Sequence, residues 1–424
     1  MAAEPKFYIM KKNNKLNKWL WKWHVIAGLI SLPIVLILSI TGGIYLFKDN
    51  YEASSQKEVR QVPTQKNTLS YQEQWQKAKS QTDRPINAMI LPNNKEEATK
   101  FISGRFGTKS TLYLNPGTGK TIGEIPENTT EMYKVRKLHG ELLMGSFGTK
   151  IVELIASWLI VLLITGLYIW WPRGNFKWKG FFTVRTGKGK RTFFRDLHAV
   201  TAMWFSGLLL MILLGGLPWT DVFGGSFKWV QQVTNTGFPA TWQGRGISST
   251  INGEALPLDT MVAKAKQLNL SGEVSITFPK SKNGTYSVSN NPKNPTKMEI
   301  YHFDPYSGRQ LIHNDWDDIG ILMQGRLFFM AFHQGQFGTW NKLLMLFAAL
   351  MLFTLSIGAI FSYTLRKKKG WGIPKVPAKF QIGKAVLVLI LLMGVVFPLF
   401  GLSVMLILIV ELIRGKTKRK QLRF

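Results

Sequence analysis

Four uninterrupted apolar runs constrain this chain more than anything else in it: residues 25–47, 151–171, 199–217 and 343–363. Each is about 20 residues long, enough for a helix to cross the hydrocarbon core of a bilayer. That core offers the backbone no water to bond with, so the runs predict transmembrane helices rather than open strands or loops. Each run has a histidine at or ahead of its start. His24 opens the first and His198 the third, while His139 precedes the second and His333 the fourth, which uses four of the six histidines. Consecutive spans point in opposite directions. His24 and His198 therefore share one membrane face, and His139 and His333 share the other. A lone histidine near a membrane interface is ordinarily an anchor. Two on neighbouring helices at one depth are what axial ligation of a b-type haem requires. Two such pairs predict two b-type haems and a path for electrons across the membrane.

Charge sets the orientation. A formal net charge of +30 often signals nucleic acid, but here the basic residues crowd the ends of the apolar runs, so no nucleic-acid partner is expected. Lys6, Lys11, Lys12, Lys15, Lys18 and Lys22 precede the first run, and Arg173, Lys177, Lys179, Arg185, Lys188, Lys190, Arg191 and Arg195 join the second to the third. Arg366, Lys367, Lys368, Lys369, Lys375, Lys379 and Lys384 follow the fourth. Short basic loops mark the cytoplasmic side. The chain then divides into a cytoplasmic amino terminus (1–18), a first span (19–47), a first outward module (48–138) and an interfacial segment with the second span (139–171). A cytoplasmic loop (172–195), a third span (196–218), a second outward module (219–332) and an interfacial segment with the fourth span (333–364) repeat that order. The first span is too long for a cleaved signal peptide and lacks a small-residue cleavage site. With no cysteine, there is no disulfide, thiolate cluster or c-type haem, and any redox centre falls to histidine, methionine, carboxylate or tyrosine.

After a further basic loop (365–384) comes a fifth apolar stretch, 385–413, interrupted by Pro398 and Gly401 and followed by a basic tail, 414–424. One crossing would put that tail outside, against the charge rule; a hairpin broken at Pro398 keeps it inside. The stretch is therefore a carboxy-terminal apolar helix or hairpin, with the hairpin favoured.

The two halves repeat one another. His24 with Thr41-Gly42-Gly43 matches His198 with Gly215-Gly216, and Phe147-Gly148-Thr149 after His139 matches Phe337-Gly338-Thr339 after His333. Outside the spans, Asn115-Pro116-Gly117-Thr118-Gly119 and Asp304-Pro305-Tyr306-Ser307-Gly308 each read as a turn between two strands, preceded by helical stretches at 70–80 and 258–268. A two-fold axis along the membrane normal would relate the halves. The expected architecture is an α-helical integral membrane bundle with two outward-facing α+β modules in tandem.

These strings resemble the PepSY-associated transmembrane family. The outward strand–turn–strand patterns at 113–120 and 301–309 are similar to PepSY modules. Trp23-His24, Leu138-His139-Gly140 and Asp196-Leu197-His198 resemble the family's helix starts, and Phe397-Pro398-Leu399-Phe400-Gly401 its carboxy-terminal segment. Relatives of this kind include inner-membrane ferrisiderophore reductases that hold two haems. The resemblance implies a multi-pass protein of the bacterial inner membrane with a cytoplasmic amino terminus. It implies His24 and His198 as ligands of the cytoplasmic-side haem, and His139 and His333 as ligands of the periplasmic-side haem. Family membership does not fix activity.

An outward haem of this kind would reduce ferric iron in a chelate or siderophore, whose hard oxygen donors release the ferrous ion. The loop after the third span offers substrate contacts in Trp219, Trp229, Trp242, Lys228 and Arg245, interleaved with Phe223, Phe227 and Phe238; an interfacial aromatic belt explains the same pattern. Arg136, Lys137 and Arg326 beside the outward pair, and Lys22 and Arg195 beside the inward pair, could neutralise haem propionates. Glu141 and Glu153 could bind metal or relay protons. His302 and His313 read as solvated surface residues. Gly187-Lys188-Gly189-Lys190 lacks the context of a nucleotide loop, so electrons must come from a quinol or a separate reductase. Two other classes remain open: a histidine-lined metal transporter, and a non-redox membrane regulator whose outward modules bind a protein.

Overall fold

The computed structural model describes residues 14–64, 67–172, 180–366, 372–373, 375–376 and 380–421. The basic residues read before 14, at 173–179, at 367–369 and at 379 lie outside the described residues. In chain order come α1 (Asn14–Tyr45), the short helices α2 (Lys48–Ser55) and α3 (Lys57–Arg60), and α4 (Tyr71–Ser80). Strands β1 (Ile86–Ile90), β2 (Thr99–Ser103), β3 (Ser110–Leu114) and β4 (Thr121–Pro126) follow. Next are α5 (Glu131–Glu141), α6 (Gly145–Trp170), α7 (Lys190–Gly216), α8 (Val222–Val233) and α9 (Leu258–Gln267). The second strand set is β5 (Glu273–Thr277), β6 (Tyr286–Asn291), β7 (Ile300–Phe303) and β8 (Gln310–Asn314). The chain ends with α10 (Ile321–His333), α11 (Thr339–Arg366), α12 (Lys384–Val396) and α13 (Pro398–Gln421). It divides into a helical unit (1–43, 138–227, 344–424) and a sheet unit (44–137, 228–343).

Within the described residues of the chain, four helices are long and apolar enough to cross a membrane: Lys15–Tyr45, Gly145–Trp170, Lys190–Trp219 and Thr339–Arg366. The chain is a multi-pass membrane protein. Large apolar side chains such as Ile30, Leu210 and Leu350 stay exposed on these helices, as expected where lipid rather than water is the solvent. A small core of Ala156, Ile160, Leu217, Phe397 and Phe400 joins α6 and α7 to the carboxy-terminal pair. Trp158 stacks edge-on against Phe400, with ring centroids 4.9 Å apart, and donates to Ser403 Oγ at 3.1 Å. Residues 385–413 form the hairpin. The backbone leaves helical values at Phe397, and Gly394 and Gly401 then touch: a Cβ on Gly401 would lie 2.7 Å from Gly394 O. At 1.5 Å per residue α12 is only about 20 Å long, too short to cross alone.

In the sheet unit the strands of the two modules share one sheet. All eight strands lie in one antiparallel sheet of order β4-β3-β2-β1-β5-β6-β7-β8. The halves join where β1 meets β5, with Met89 opposite Ile276 and Ile90 opposite Ser275. Left apart, each half would present an unpaired strand edge at that point, and pairing removes both edges. Helices α4 and α9 lie together and bury Ala78, Leu258, Met261 and Val262 with Met89, Phe101, Leu114, Ile276 and Val288. Their amino ends cap one another. Asp259 accepts from Tyr71 N and Gln72 N at 2.8 and 3.0 Å, and Gln72 Oε1 accepts from Leu258 N at 3.0 Å.

The two expected turns are superposable in their bonding. Asn115 Oδ1 accepts from Gly117 N and Thr118 N, and Asp304 Oδ1 from Tyr306 N and Ser307 N, all within 3.2 Å. Gly119 and Gly308 close the turns at φ +69 and +68, left-handed values that a side chain would strain.

Candidate functional site

Within the helical unit α1 and α7 bring His24 and His198 together edge to face, with ring centroids 6.3 Å apart and planes at 74°. An imidazole nitrogen bonds a metal at about 2 Å, and the ring centre lies roughly 1 Å behind it, so two imidazoles on opposite sides of one ion sit roughly 6 Å apart. That spacing would suit a metal ion held by both rings. Hydrogen bonding also fixes which nitrogen is available. His198 Nδ1 lies 3.0 Å from Leu355 O, a carbonyl that only accepts, so Nδ1 carries the proton. His24 Nδ1 lies 3.0 Å from Thr165 Oγ1, whose own proton goes to Val161 O at 2.8 Å. Again Nδ1–H donates. In both rings Nε2 is left as the lone pair, the form in which histidine ligates a metal.

Two residues before His198 stands a buried carboxylate. Asp196 accepts from Arg185 Nε and Nη2 at 2.6 and 3.0 Å, and from Arg195 Nε and Nη2 at 3.0 and 2.7 Å. This cluster anchors the start of α7. Within it the Arg195 guanidinium is bound to Asp196. Lys22 lies over the Trp23 ring at 4.8 Å and 3.5 Å from Glu411.

The outward pair falls in different units. His139, in the last turn of α5, belongs to the helical unit, where its Nδ1 lies 3.0 Å from Thr41 Oγ1. His333 ends α10 in the sheet unit. Both sit in the last turns of helices that end before the apolar spans begin. The turn after His333 is stapled by the buried Asn341, which accepts from Phe337 N and donates to Phe332 O, both at 3.1 Å.

Glu153 caps a helix. Its carboxylate is buried and accepts from Val222 N and Phe223 N at 2.8 Å, capping α8, whose amino-terminal amides attract negative charge. The expectation for His302 is corrected. It is buried in β7, with Nδ1 2.9 Å from Ser287 Oγ. His313 is exposed, as read from the sequence, stacked on Tyr301 and 3.1 Å from Glu299. Of the expected substrate contacts, Trp219 belongs to the helical unit and is exposed. In the sheet unit Lys228 and Trp229 are exposed on α8, Arg245 is exposed, and Trp242 packs on Phe238 with centroids 4.9 Å apart. Among the described residues no group of three or more His, Cys, Asp or Glu is placed to hold a metal ion. An axially ligated haem asks the protein for two.

No curated protein matches the chain. The model of the PepSY-associated TM region matches residues 21–366. With four apolar helices, a PepSY-like sheet and a match over most of its length, the chain belongs to the PepSY-associated transmembrane family.

Proposed function

We propose that this protein is a transmembrane oxidoreductase that passes electrons through two b-type haems to ferric iron, in a chelate or siderophore, on the outward face. The observation that carries the reading is the His24–His198 pair: centroids 6.3 Å apart, each Nδ1 proton bound and each Nε2 left as a lone pair. These two residues hold the cytoplasmic-side haem. His139 and His333 hold the periplasmic-side haem, an assignment resting on the paired positions in the sequence. The matching order of elements in the two halves, a helix and then four strands, supports a tandem repeat.

Bis-histidine haem supplies reversible one-electron transfer without opening a coordination position. The protein's part is to hold the imidazoles, exclude water from the pair and bring the chelate close. Reduction then becomes release, because oxygen donors hold ferrous iron less tightly than ferric. The donor is a quinol or a separate reductase. The basic loops support a bacterial inner-membrane protein with a cytoplasmic amino terminus.

Purified protein should show sharp haem absorption with two haems per chain. His24→Ala or His198→Ala should remove one, and His139→Ala or His333→Ala the other. A ferric chelate at the outward face should reoxidise the reduced protein, and His333→Ala should block that step. A colourless, haem-free protein refutes the reading. Rapid oxidation by another acceptor, with ferric siderophores inert, keeps the electron path and discards the iron.

A further inference from the structure

Two of the four histidines rest in the same two-residue seat. We infer that Thr165-Gly166 of α6 and Thr41-Gly42 of α1 are matched positioning dipeptides that fix the tautomer and ring placement of His24 and His139 for ligation; the identity of the bound group rests on the haem reading above. In each seat the threonine Oγ1 lies 3.0 Å from the imidazole Nδ1. Each hydroxyl has one proton, and it is already given to the carbonyl four residues back: Thr165 to Val161 O at 2.8 Å, Thr41 to Ile37 O at 2.6 Å. The oxygen can then only accept. Nδ1 must carry the ring proton, which puts the ring's lone pair on Nε2.

The glycine makes the room. A Cβ on Gly166 would lie 3.0 Å from His24 Cε1, and one on Gly42 would lie 3.2 Å from His139 Cε1. The ring edge thus lies against bare helix backbone, and any side chain there would displace it. The arrangement is reciprocal. Helix α1 supplies His24 and seats His139, while α6 seats His24 and follows the helix that carries His139. Thr41 lies roughly 25 Å beyond His24 along α1, so one helix pair carries a seat near each end. His198 is held differently, by the Leu355 carbonyl and against Gly358, where an added Cβ would lie 3.1 Å from His198 N. A backbone acceptor cannot be mutated away. The two threonines can.

An acceptor on the far nitrogen raises the basicity of a ligating imidazole, and losing it typically costs about 10–100-fold in affinity for the bound metal. Thr165→Val should therefore release the haem held by His24 about 10–100-fold more readily. It should also raise the midpoint potential of that haem, because a less basic ligand favours the ferrous ion. Thr165→Ser should restore both values, Gly166→Ala should perturb the spectrum of the same haem, and Thr41→Val should act on the other haem. In haem-free protein, ¹⁵N NMR should find His24 protonated at Nδ1 in the wild type and in Thr165→Ser, and mixed in Thr165→Val. Equal affinity, potential and tautomer in wild type and Thr165→Val overturn the seat. A wild type that binds no haem but shows the threonine-dependent tautomer overturns the haem reading and leaves the seat standing.

Discussion

At the scale of single residues, the sheet unit shows how much rests on one acceptor or one buried ring. Asp304 organises its turn through two backbone amides, and Asn115 does the same with an amide oxygen. Asp304→Ala should therefore cost about 1–2 kcal/mol in thermal unfolding, whereas Asp304→Asn should cost much less. Burial pushes the His302 imidazole below its ordinary value of 6.5, against the backbone of Thr241 and Trp242. Because the folded value is depressed, the unfolded chain takes up the proton first as pH falls below 6.5. Stability from this residue is present above that pH and is lost as pH drops through the folded value. His302→Gln should flatten the difference between unfolding temperatures at pH 7.5 and 5.5; an unchanged difference would contradict the assignment.

Elements are held by contacts that span long stretches of chain. Helix α8 begins on the Glu153 carboxylate, a residue of α6. Glu153→Ala leaves two amides without their acceptor and should lower stability by about 2–3 kcal/mol, with Glu153→Gln intermediate. The α12–α13 hairpin closes on Gly394 and Gly401, and a side chain at Gly401 meets backbone. Gly401→Val should lower the unfolding temperature in detergent, while Gly383→Ala, with open space around its Cβ, should not. Equal effects would mean that the glycine contact does not hold the arms together.

For the whole molecule, the consequence to test is sidedness. The chain has no cysteine, so single introduced thiols report cleanly. Ser55 and Thr186 are both exposed, the first in α2 and the second in the basic stretch before α7. Ser55→Cys should react with an impermeant reagent in intact cells or spheroplasts, and Thr186→Cys only after permeabilisation. The opposite pattern would reverse the direction of the proposed electron path.

By itself the sequence determined what depends on local composition. Runs of about 20 apolar residues become spanning helices whatever surrounds them, and Asn115-Pro116 and Asp304-Pro305 with their following glycines close turns from their own side chains. Histidines at the heads of spans one and three could be paired because alternating spans must return to the same face. Tertiary structure alone decided the rest, for the physical reason that each partner is distant in sequence. Nothing near Glu153 announces the amides of Val222 and Phe223, and nothing in Thr165-Gly166 announces an imidazole from residue 24. Nor does either four-stranded half reveal that its inner edge meets the other. A residue pattern encodes which surface is apolar or can accept a hydrogen bond; only the packed chain decides what fills it.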